Sequence, residues 1–251
     1  MKPLVDVIVL TWNDGACLHT AVESALAGQI DGVRVIVVDN GSEPAAEVGA
    51  HERVRLIRNE HNRGVAAARN QGAVTGDAPF VMFLDSDARL HPGAVAAMLV
   101  AFDDPAVGLV APSFTGQPSE ASAGRAPTLA RKVARGLNLT AAYGATPLVP
   151  GAASRPVDFA IGACQMFRRA AFDAVGGLDE TYFYGPEDVD FCLRLKDAGW
   201  QVVQLVAAVC DHPPRRRHKK LLSAGGRRHA RAVLTHFRHR RAVARRAEAV
   251  L

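Results

Sequence analysis

Phe83-Leu84-Asp85-Ser86-Asp87 places two carboxylates one residue apart, directly after a short apolar run. Hard oxygen ligands at that spacing suit a divalent cation, Mg2+ or Mn2+. Such an ion would bridge to phosphate oxygens and neutralise them as a leaving group. The same residues also suit a surface turn that caps the next helix. A second acidic group, Glu187-Asp188-Val189-Asp190, follows Gly185-Pro186. N-capping explains one acid at a turn-to-helix junction and leaves two like charges to be accounted for. Asp39-Asn40-Gly41-Ser42 is an acceptor-rich turn, and Asn62-Arg63-Gly64 leads into small residues around Arg69. Small residues let a backbone approach a ligand closely, and Arg69 has the reach to meet a base or a phosphate. Ordinary turn chemistry accounts for each of these as well. His212 follows an apolar, β-branched run, where a histidine serves as a metal ligand or as a structural residue.

Residues so far apart in sequence need a scaffold to bring them together. Val5–Thr11 (VDVIVLT), Val33–Asp39 (VRVIVVD), Val54–Arg58 and Phe80–Asp85 (FVMFLD) read as strands, as do residues 107–111, 157–167 and 201–209. Helical character separates them at residues 15–27, 64–74, 92–102, 169–175 and 187–198. Near-continuous apolar strands alternating with helices predict an α/β fold with a mostly parallel central sheet covered on both faces. Ligands in such sheets bind beyond the carboxyl ends of the strands. Thr11-Trp12-Asn13, Asp39-Asn40-Gly41 and Asp85-Ser86-Asp87 all fall there. No GxGxxG, GxxxxGK[ST] or GxSxG is present. A dinucleotide fingerprint, a P-loop and a hydrolase nucleophile elbow are thereby unsupported. Trp12 reads as a partly buried core residue rather than a base-stacking one, and Cys164, Cys192 and Cys210 read as core filling. Tyr182, Phe183 and Tyr184 offer either a sugar platform or aromatic packing at a turn.

Hydrophobic residues at 49% and charged residues at 22% exclude a disordered or collagen-like chain. Four scattered cysteines without CxxC spacing argue against a zinc site or a disulfide framework and favour a reducing cytosol. The apolar run at the N-terminus is too short for a signal peptide, and no run is long enough for a membrane-spanning helix. Residues 113–156 are rich in Ala, Gly, Pro, Ser and Thr, and read as a long loop with one short helix near 129–139. Charge is uneven. Residues 211–251 carry 13 Lys and Arg against Asp211 and Glu248, a net +11, whereas residues 1–210 sum to −6. Ala230, Val233, Leu234 and Phe237 recur at helical spacing, so a basic amphipathic helix is expected in residues 213–251. Its apolar stripe would lie on an anionic bilayer or on the protein body.

Taken together, these motifs resemble family 2 glycosyltransferases, which have the GT-A fold. The resemblance covers roughly residues 5–212 and rests on VIVLTWN from Val7, VVDNGS from Val37, NEHNRG from Asn59 with Ala68-Arg69-Asn70, FLDSD from Phe83, and GGLDE from Gly176 through Glu187-Asp188-Val189-Asp190. The wording is most similar to the rhamnosyltransferase-like branch, whose members often build bacterial cell-surface glycans. The resemblance implies a catalytic domain over residues 1–212, with a nucleotide-sugar half (1–112), the loop (113–156) and an acceptor half (157–212). It implies that Thr11, Asn13, Asp39, Gly64, Arg69, Asp85 and Ser86 contact the nucleotide sugar. Asp39 would accept a hydrogen bond from a pyrimidine N–H. Asp87 and His212 would ligate Mg2+ or Mn2+, and Asp188 would be the general base with Glu187 beside it. Where the family often continues with Gly and Ser after the histidine, this chain has Pro213-Pro214. The implied activity is inverting transfer from a UDP- or dTDP-sugar to a hydroxyl of a glycan or lipid-linked acceptor. That work would be cytoplasmic, at the inner membrane face through the tail, with no nucleic acid and no particular oligomeric state implied. Two rivals remain: a sugar-phosphate nucleotidyltransferase, and a non-catalytic lipid- or nucleic-acid-binding protein driven by the tail. The first lacks its Gly-rich basic loop after the first strand; the second has no use for the acidic clusters.

Overall fold

The computed structural model describes residues 2–115, 123–126, 153–213 and 231–237. Strands β1 (Val5–Thr11), β2 (Val33–Asp39), β3 (Val54–Arg58) and β4 (Phe80–Asp85) form where the β-branched runs predict. They pair in parallel in the order β3-β2-β1-β4. The connecting helices are α1 (Gly15–Leu26), α2 (Val65–Thr75) and α3 (Ala94–Val100), the last extended by a 3-10 turn at Ala101–Asp103. A short strand β5 (Arg89–Leu90) precedes α3, and β6 (Val107–Phe114) follows it. The helix α3 starts later than the sequence suggests because Gly93 turns the chain at φ +77°.

Two sequence expectations are corrected in the second half. The strand expected over 157–167 divides into β9 (Phe159–Ala160) and β10 (Cys164–Arg168), with a turn at residues 161–163. β9 leaves the central sheet and pairs with β7 (Ala123–Gly124). The expected loop 113–156 is entered and left by strands: β6 continues to Phe114, and β8 (Ser154–Pro156) pairs with β11 (Gln201–Asp211). The short helix expected near 129–139 lies outside the described residues. Helices α4 (Arg169–Ala174) and α5 (Glu187–Asp197) form as read.

The central sheet runs β3-β2-β1-β4-β10-β6-β11-β5. β10 is antiparallel to both β4 and β6, and β6 and β11 are parallel. Two reversals cancel, so β11 points the same way as β4 and their carboxyl ends share one edge of the sheet. Alternating side chains feed two cores. Val5, Val7, Val9, Met82 and Leu84 pack under α1 and α3, and Ile8, Ile36, Val81 and Phe83 pack under α2, α4 and α5. Small residues bring α2 close: a Cβ on Gly72 would stand 2.3 Å from Ile8 Cγ2. Phe83, Phe167, Phe172 and Phe191 form an aromatic cluster that ties α4 and α5 to the sheet, with Phe83 and Phe167 4.8 Å apart and Phe167 and Phe191 5.2 Å apart. Cys164, Cys192 and Cys210 are buried in the core, as expected.

Residues 231–237 are helical and form α6. Of the expected stripe, Val233 and Phe237 are half-buried and Leu234 is 52% exposed. The most buried side chain is His236, 3.5 Å from Asp190 on α5 and ring-to-ring with Tyr182.

At the opposite, amino end of the parallel strands, Asp6 is wholly buried. Its carboxylate accepts from Arg34 Nε at 2.8 Å, Arg169 Nη2 at 2.9 Å and the Ala78 amide at 2.9 Å. Arg169 also donates to the carbonyls of Ala73 and Ala78, so one acid joins β1, β2, α2 and α4. Removing one partner of such a buried pair leaves uncompensated charge. Asp6→Ala is therefore expected to lower the unfolding free energy by about 3 kcal/mol, read as a shift in the urea midpoint at unchanged slope.

Candidate functional site

The carboxyl ends of β1, β4 and β11 and the entry to β10 lie along one edge of the sheet, where parallel α/β sheets bind ligands. Asp85 ends β4 and His212 immediately follows β11. Nε2 of His212 stands 3.6 Å from Asp87 Oδ1 and 4.0 Å from Asp85 Oδ2. Ligand atoms of Asp85, Asp87 and His212 all fall within 4.8 Å of one another. Two carboxylates and an imidazole at that separation are a donor set for Mg2+ or Mn2+. His212 is held in place from two sides: its ring lies 5.6 Å from that of Phe114, and Asp211 beside it accepts from Thr115 and from His91.

Arg69, on α2, is 3% exposed and faces these acids. Its Nη2 donates to Asp85 Oδ1 at 2.6 Å and to the Gly162 carbonyl at 2.7 Å. Nη1 lies 3.9 Å from Glu187 Oε1, and the guanidinium sits 5.3 Å above the Phe83 ring. The Gly162 amide donates to Asp188 Oδ2 at 3.0 Å, and Asp188 Oδ1 accepts from the Val189 amide. A continuous chain of contacts thus leads from Asp87 and His212 through Asp85, Arg69 and Gly162 to Asp188. Asp85, Asp87, His212 and Asp188 are thus linked along the crevice at the carboxyl ends of the strands.

Glu187 is 6% exposed, and its Oε2 has no hydrogen-bond partner among the described residues. Burial, reinforced by neighbouring Asp188 and opposed by Arg69, pushes its carboxyl up to about 7. Tyr184 stands at the mouth, 47% exposed. Burial and then the negative field of Asp85, Glu187 and Asp188 raise its hydroxyl above the usual phenolic value. The three aromatic residues separate: Tyr182 is in the core, Phe183 packs on Gly64, and Tyr184 faces the crevice. Asp190 points away from it. Burial raises its carboxyl, but hydrogen bonds from His236 and Arg194 outweigh burial and hold it below the ordinary range.

The residues expected to contact a nucleotide surround the turns after β1 and β2. Asp39 is wholly buried; its oxygens accept from the amides of Ser42 at 2.9 Å and Ala46 at 3.0 Å, and Arg58 approaches at 3.4 Å. Asn13, at φ +54°, donates its amide to Ser42 Oγ and accepts from the Glu43 amide. Thr11 Oγ1 is buried without a hydrogen-bond partner among the described residues. Ser86 donates to Asp14 at 3.0 Å. Between the start of α1 (Asn13, Ala16, His19) and residues 42–47 opens a cleft of about 510 Å³. Gly64, at φ +88°, has its close approach to protein: a Cβ there would meet the Phe183 carbonyl oxygen at 2.8 Å. Trp12 overturns the core reading. The chain leaves the sheet after Thr11 with Asn13 left-handed, and Trp12 is 47% exposed.

Gly162 escaped the sequence reading. Its one trace is a glycine inside a strand-like run, a sign of a close backbone approach. Here the neighbour is Arg69, whose Nη1 would lie 2.4 Å from a Cβ on Gly162. Asn40 also escaped notice as an organiser. Its side chain bonds Asn59, Asn62, the Arg63 amide and the Gly64 carbonyl, joining three turns at the crevice edge.

Residues 6–176 match the family described as Glycosyl transferase family 2, and residues 154–218 match one described as the N-terminal domain of galactosyltransferase. The chain is 36% identical over 211 residues to the pre-mycofactocin glycosyltransferase of Mycobacterium tuberculosis, spanning 81% of this chain and 42% of that protein. It is 31% identical over 237 residues to the N-acetylglucosaminyl-diphospho-decaprenol L-rhamnosyltransferase of the same species, spanning 84% of this chain and 76% of that protein. Among solved structures it is similar to GalNAc-T7 with UDP, GalNAc and Mn2+, with a TM-score of 0.67 at 14% identity over 86% of this chain and 45% of the other. It is also similar to the mannosyltransferase PcManGT from Pyrobaculum calidifontis in complex with GDP-Man and Mn2+, at 0.62 and 20% identity over 95% and 64%. At these identities the likeness establishes the fold, which is GT-A. No helix among the described residues is long and apolar enough to cross a membrane.

An unfolded glutamate titrates near 4.3, so a Glu187 carboxyl at about 7 binds its proton more tightly in the folded chain. The stability that this contributes is complete below the unfolded value and is lost as pH rises through about 7. Glu187→Gln has no proton to lose. Its unfolding free energy relative to wild type should therefore improve between pH 5 and pH 8, by on the order of 1 kcal/mol or more. Urea melts at several pH values measure this; a difference independent of pH would contradict it.

Proposed function

The chain belongs to glycosyl transferase family 2, and from that premise we propose that it transfers a sugar from a nucleoside-diphosphate donor to an acceptor hydroxyl with inversion at the anomeric carbon. The observation that carries this reading is the single crevice in which Asp85, Asp87 and His212 on one side meet Asp188 on the other. We assign the nucleoside to the cleft between α1 and residues 42–47. Thr11 Oγ1, buried and without a hydrogen-bond partner among the described residues, and Asn13 border that end of β1. Asp39, wholly buried and bonded to the Ser42 and Ala46 amides and to Arg58, holds the turn that lines this cleft. The donor we assign is a uridine- or thymidine-diphosphate sugar, with rhamnose as the sugar suggested by the decaprenol-linked relative's name.

Asp85, Asp87 and His212 would hold a divalent cation, and two carboxylates with one imidazole fit Mg2+ or Mn2+. When bound, such an ion supplies charge neutralisation to the departing diphosphate. Asp188 is half-exposed and kept in place by the Gly162 and Val189 amides. It takes the acceptor proton as the hydroxyl oxygen attacks the anomeric carbon from the side opposite the diphosphate. The bond from that carbon to the diphosphate oxygen breaks, and no covalent enzyme intermediate forms. Positioning and one general base are the contributions of the chain itself.

The acceptor enters past Tyr184, whose exposed ring offers a surface to a sugar. A glycan or lipid-linked acceptor suits the relative named for a decaprenol substrate and the net +11 of residues 211–251, a charge that complements an anionic bilayer. The nucleotidyltransferase rival is disfavoured by Trp12-Asn13-Asp14 after β1, where a Gly-rich basic loop would be needed.

Two variants test the assignment. With a donor drawn from a panel of nucleotide sugars, Asp188→Asn should lose at least about a hundredfold in turnover while donor binding survives. Asp87→Ala should instead weaken donor binding that depends on Mn2+, followed by calorimetric titration with and without the ion. Wild-type release of pyrophosphate rather than a nucleoside diphosphate would reverse the reading in favour of nucleotidyl transfer.

A further inference from the structure

Arg69 links the two sides of the crevice through its side chain, beside the backbone bond from the Asp85 amide to the Ala163 carbonyl. The hydrogen bond of Nη2 to Asp85 fixes which oxygen of that carboxylate is occupied and leaves Oδ2 turned toward His212. The same nitrogen holds the Gly162 carbonyl, and Gly162 spends its amide on Asp188. The carbonyl and the amide flank a single Cα, so they move together. A glycine at 162 is required for this fit, since any Cβ would stand 2.4 Å from Nη1. Phe83 below and Glu187 at 3.9 Å leave the guanidinium little freedom to move.

We propose that Arg69 is a positioning residue that sets Asp188 through Gly162 while orienting Asp85, and so fixes the spacing between the cation side and the base side of the crevice. The proposal rests on the glycosyl-transfer reading above. Arg69 touches no reacting atom in this scheme. Its planar fork, with donors at fixed angles, is what lets one side chain serve two partners. Lysine keeps the charge beside Asp85 but offers a compact ammonium on a shorter stem, and cannot hold the Gly162 carbonyl as well.

Arg69→Lys is the informative variant, because it preserves charge beside the cation-side acids. A displacement of the base by about 1 Å can cost about a hundredfold. Arg69→Lys should lower kcat by about ten- to a hundredfold, with Mn2+ affinity by electron paramagnetic resonance within about threefold of wild type. If the loss passes through Asp188, adding Arg69→Lys to Asp188→Asn should cost less than about twofold more. A crystal structure of Arg69→Lys should show the Gly162 amide drawn away from Asp188 beyond hydrogen-bond distance, with the fold intact. Should Arg69→Lys fail to fold, Gly162→Ala displaces the same contact from the other side and is expected to give the same kcat loss. The proposal is overturned if the Gly162–Asp188 bond survives in the variant, or if the whole kcat loss persists in the Asp188→Asn background. If wild type turns over no nucleotide sugar, the transfer reading fails, and the Gly162–Asp188 distance in the variant still decides the positioning claim.

Discussion

A buried guanidinium with acids on two sides is the constraint around which this crevice is arranged. Arg69 is almost wholly enclosed, yet it meets Asp85, a backbone carbonyl and, at longer range, Glu187. Taking such a charge out of water costs several kcal/mol unless close, well-aligned partners replace the lost solvent. The partners come from β4, from the turn before β10 and from the start of α5. None of these segments is near another in sequence. The charge requirement of one side chain on α2 thus forces distant parts of the chain to meet at one place.

The sheet makes this meeting possible. Four parallel strands carry the nucleotide-side turns to a single edge, and the antiparallel β10 brings its preceding turn to that same edge. Were β10 parallel to β4, Gly162 would lie at the other end of the sheet and Asp188 would lose its amide. At the opposite end, Asp6 plays the complementary part, joining Arg34 and Arg169 without any opening for a ligand. Both ends of the sheet carry buried ion pairs. At the amino end Arg34 holds both Asp6 and Asp77, whereas at the carboxyl end ligand atoms of Asp85, Asp87 and His212 cluster within 4.8 Å of one another, and that difference separates a brace from a candidate site.

Much of the scaffold was legible from the residues. The apolar, β-branched runs give β1, β2 and β4 their observed bounds because a strand buried on both faces leaves little choice of residue type. The candidate positions Asp85, Asp87, Asp188 and His212 stand out as charged residues beside apolar strands, and the fold brings ligand atoms of Asp85, Asp87 and His212 within 4.8 Å of one another. What escaped depends on tertiary packing. Gly162 looks like an ordinary glycine in a strand until Arg69 is seen to occupy the space of its missing side chain. Trp12 reads as core by hydrophobicity, but the left-handed turn at Asn13 takes it out of the sheet. In α6, period and apolarity pick out Leu234, whereas the buried contact is made by His236, because the face it meets on α5 carries Asp190 rather than an apolar patch.

The acidic run Glu187-Asp188-Val189-Asp190 shows how that packing resolves an apparent conflict. Read linearly, three like charges crowd one helical turn. Helical geometry sends them in different directions, and each meets a different answer. Glu187 turns inward toward Arg69, where burial and Asp188 raise its carboxyl to about 7. Asp188 lies between the Gly162 and Val189 amides and keeps one side toward solvent. Asp190, buried, turns instead to Arg194, one turn further along, and to His236. All three also lie at the amino end of α5, where the helix dipole favours negative charge. The repulsion is thereby shared among an arginine, two amides and a second arginine–histidine pair. Of the three, Asp188 alone is both held by backbone amides and open to the crevice, and that combination suits it to accept a proton from an incoming hydroxyl.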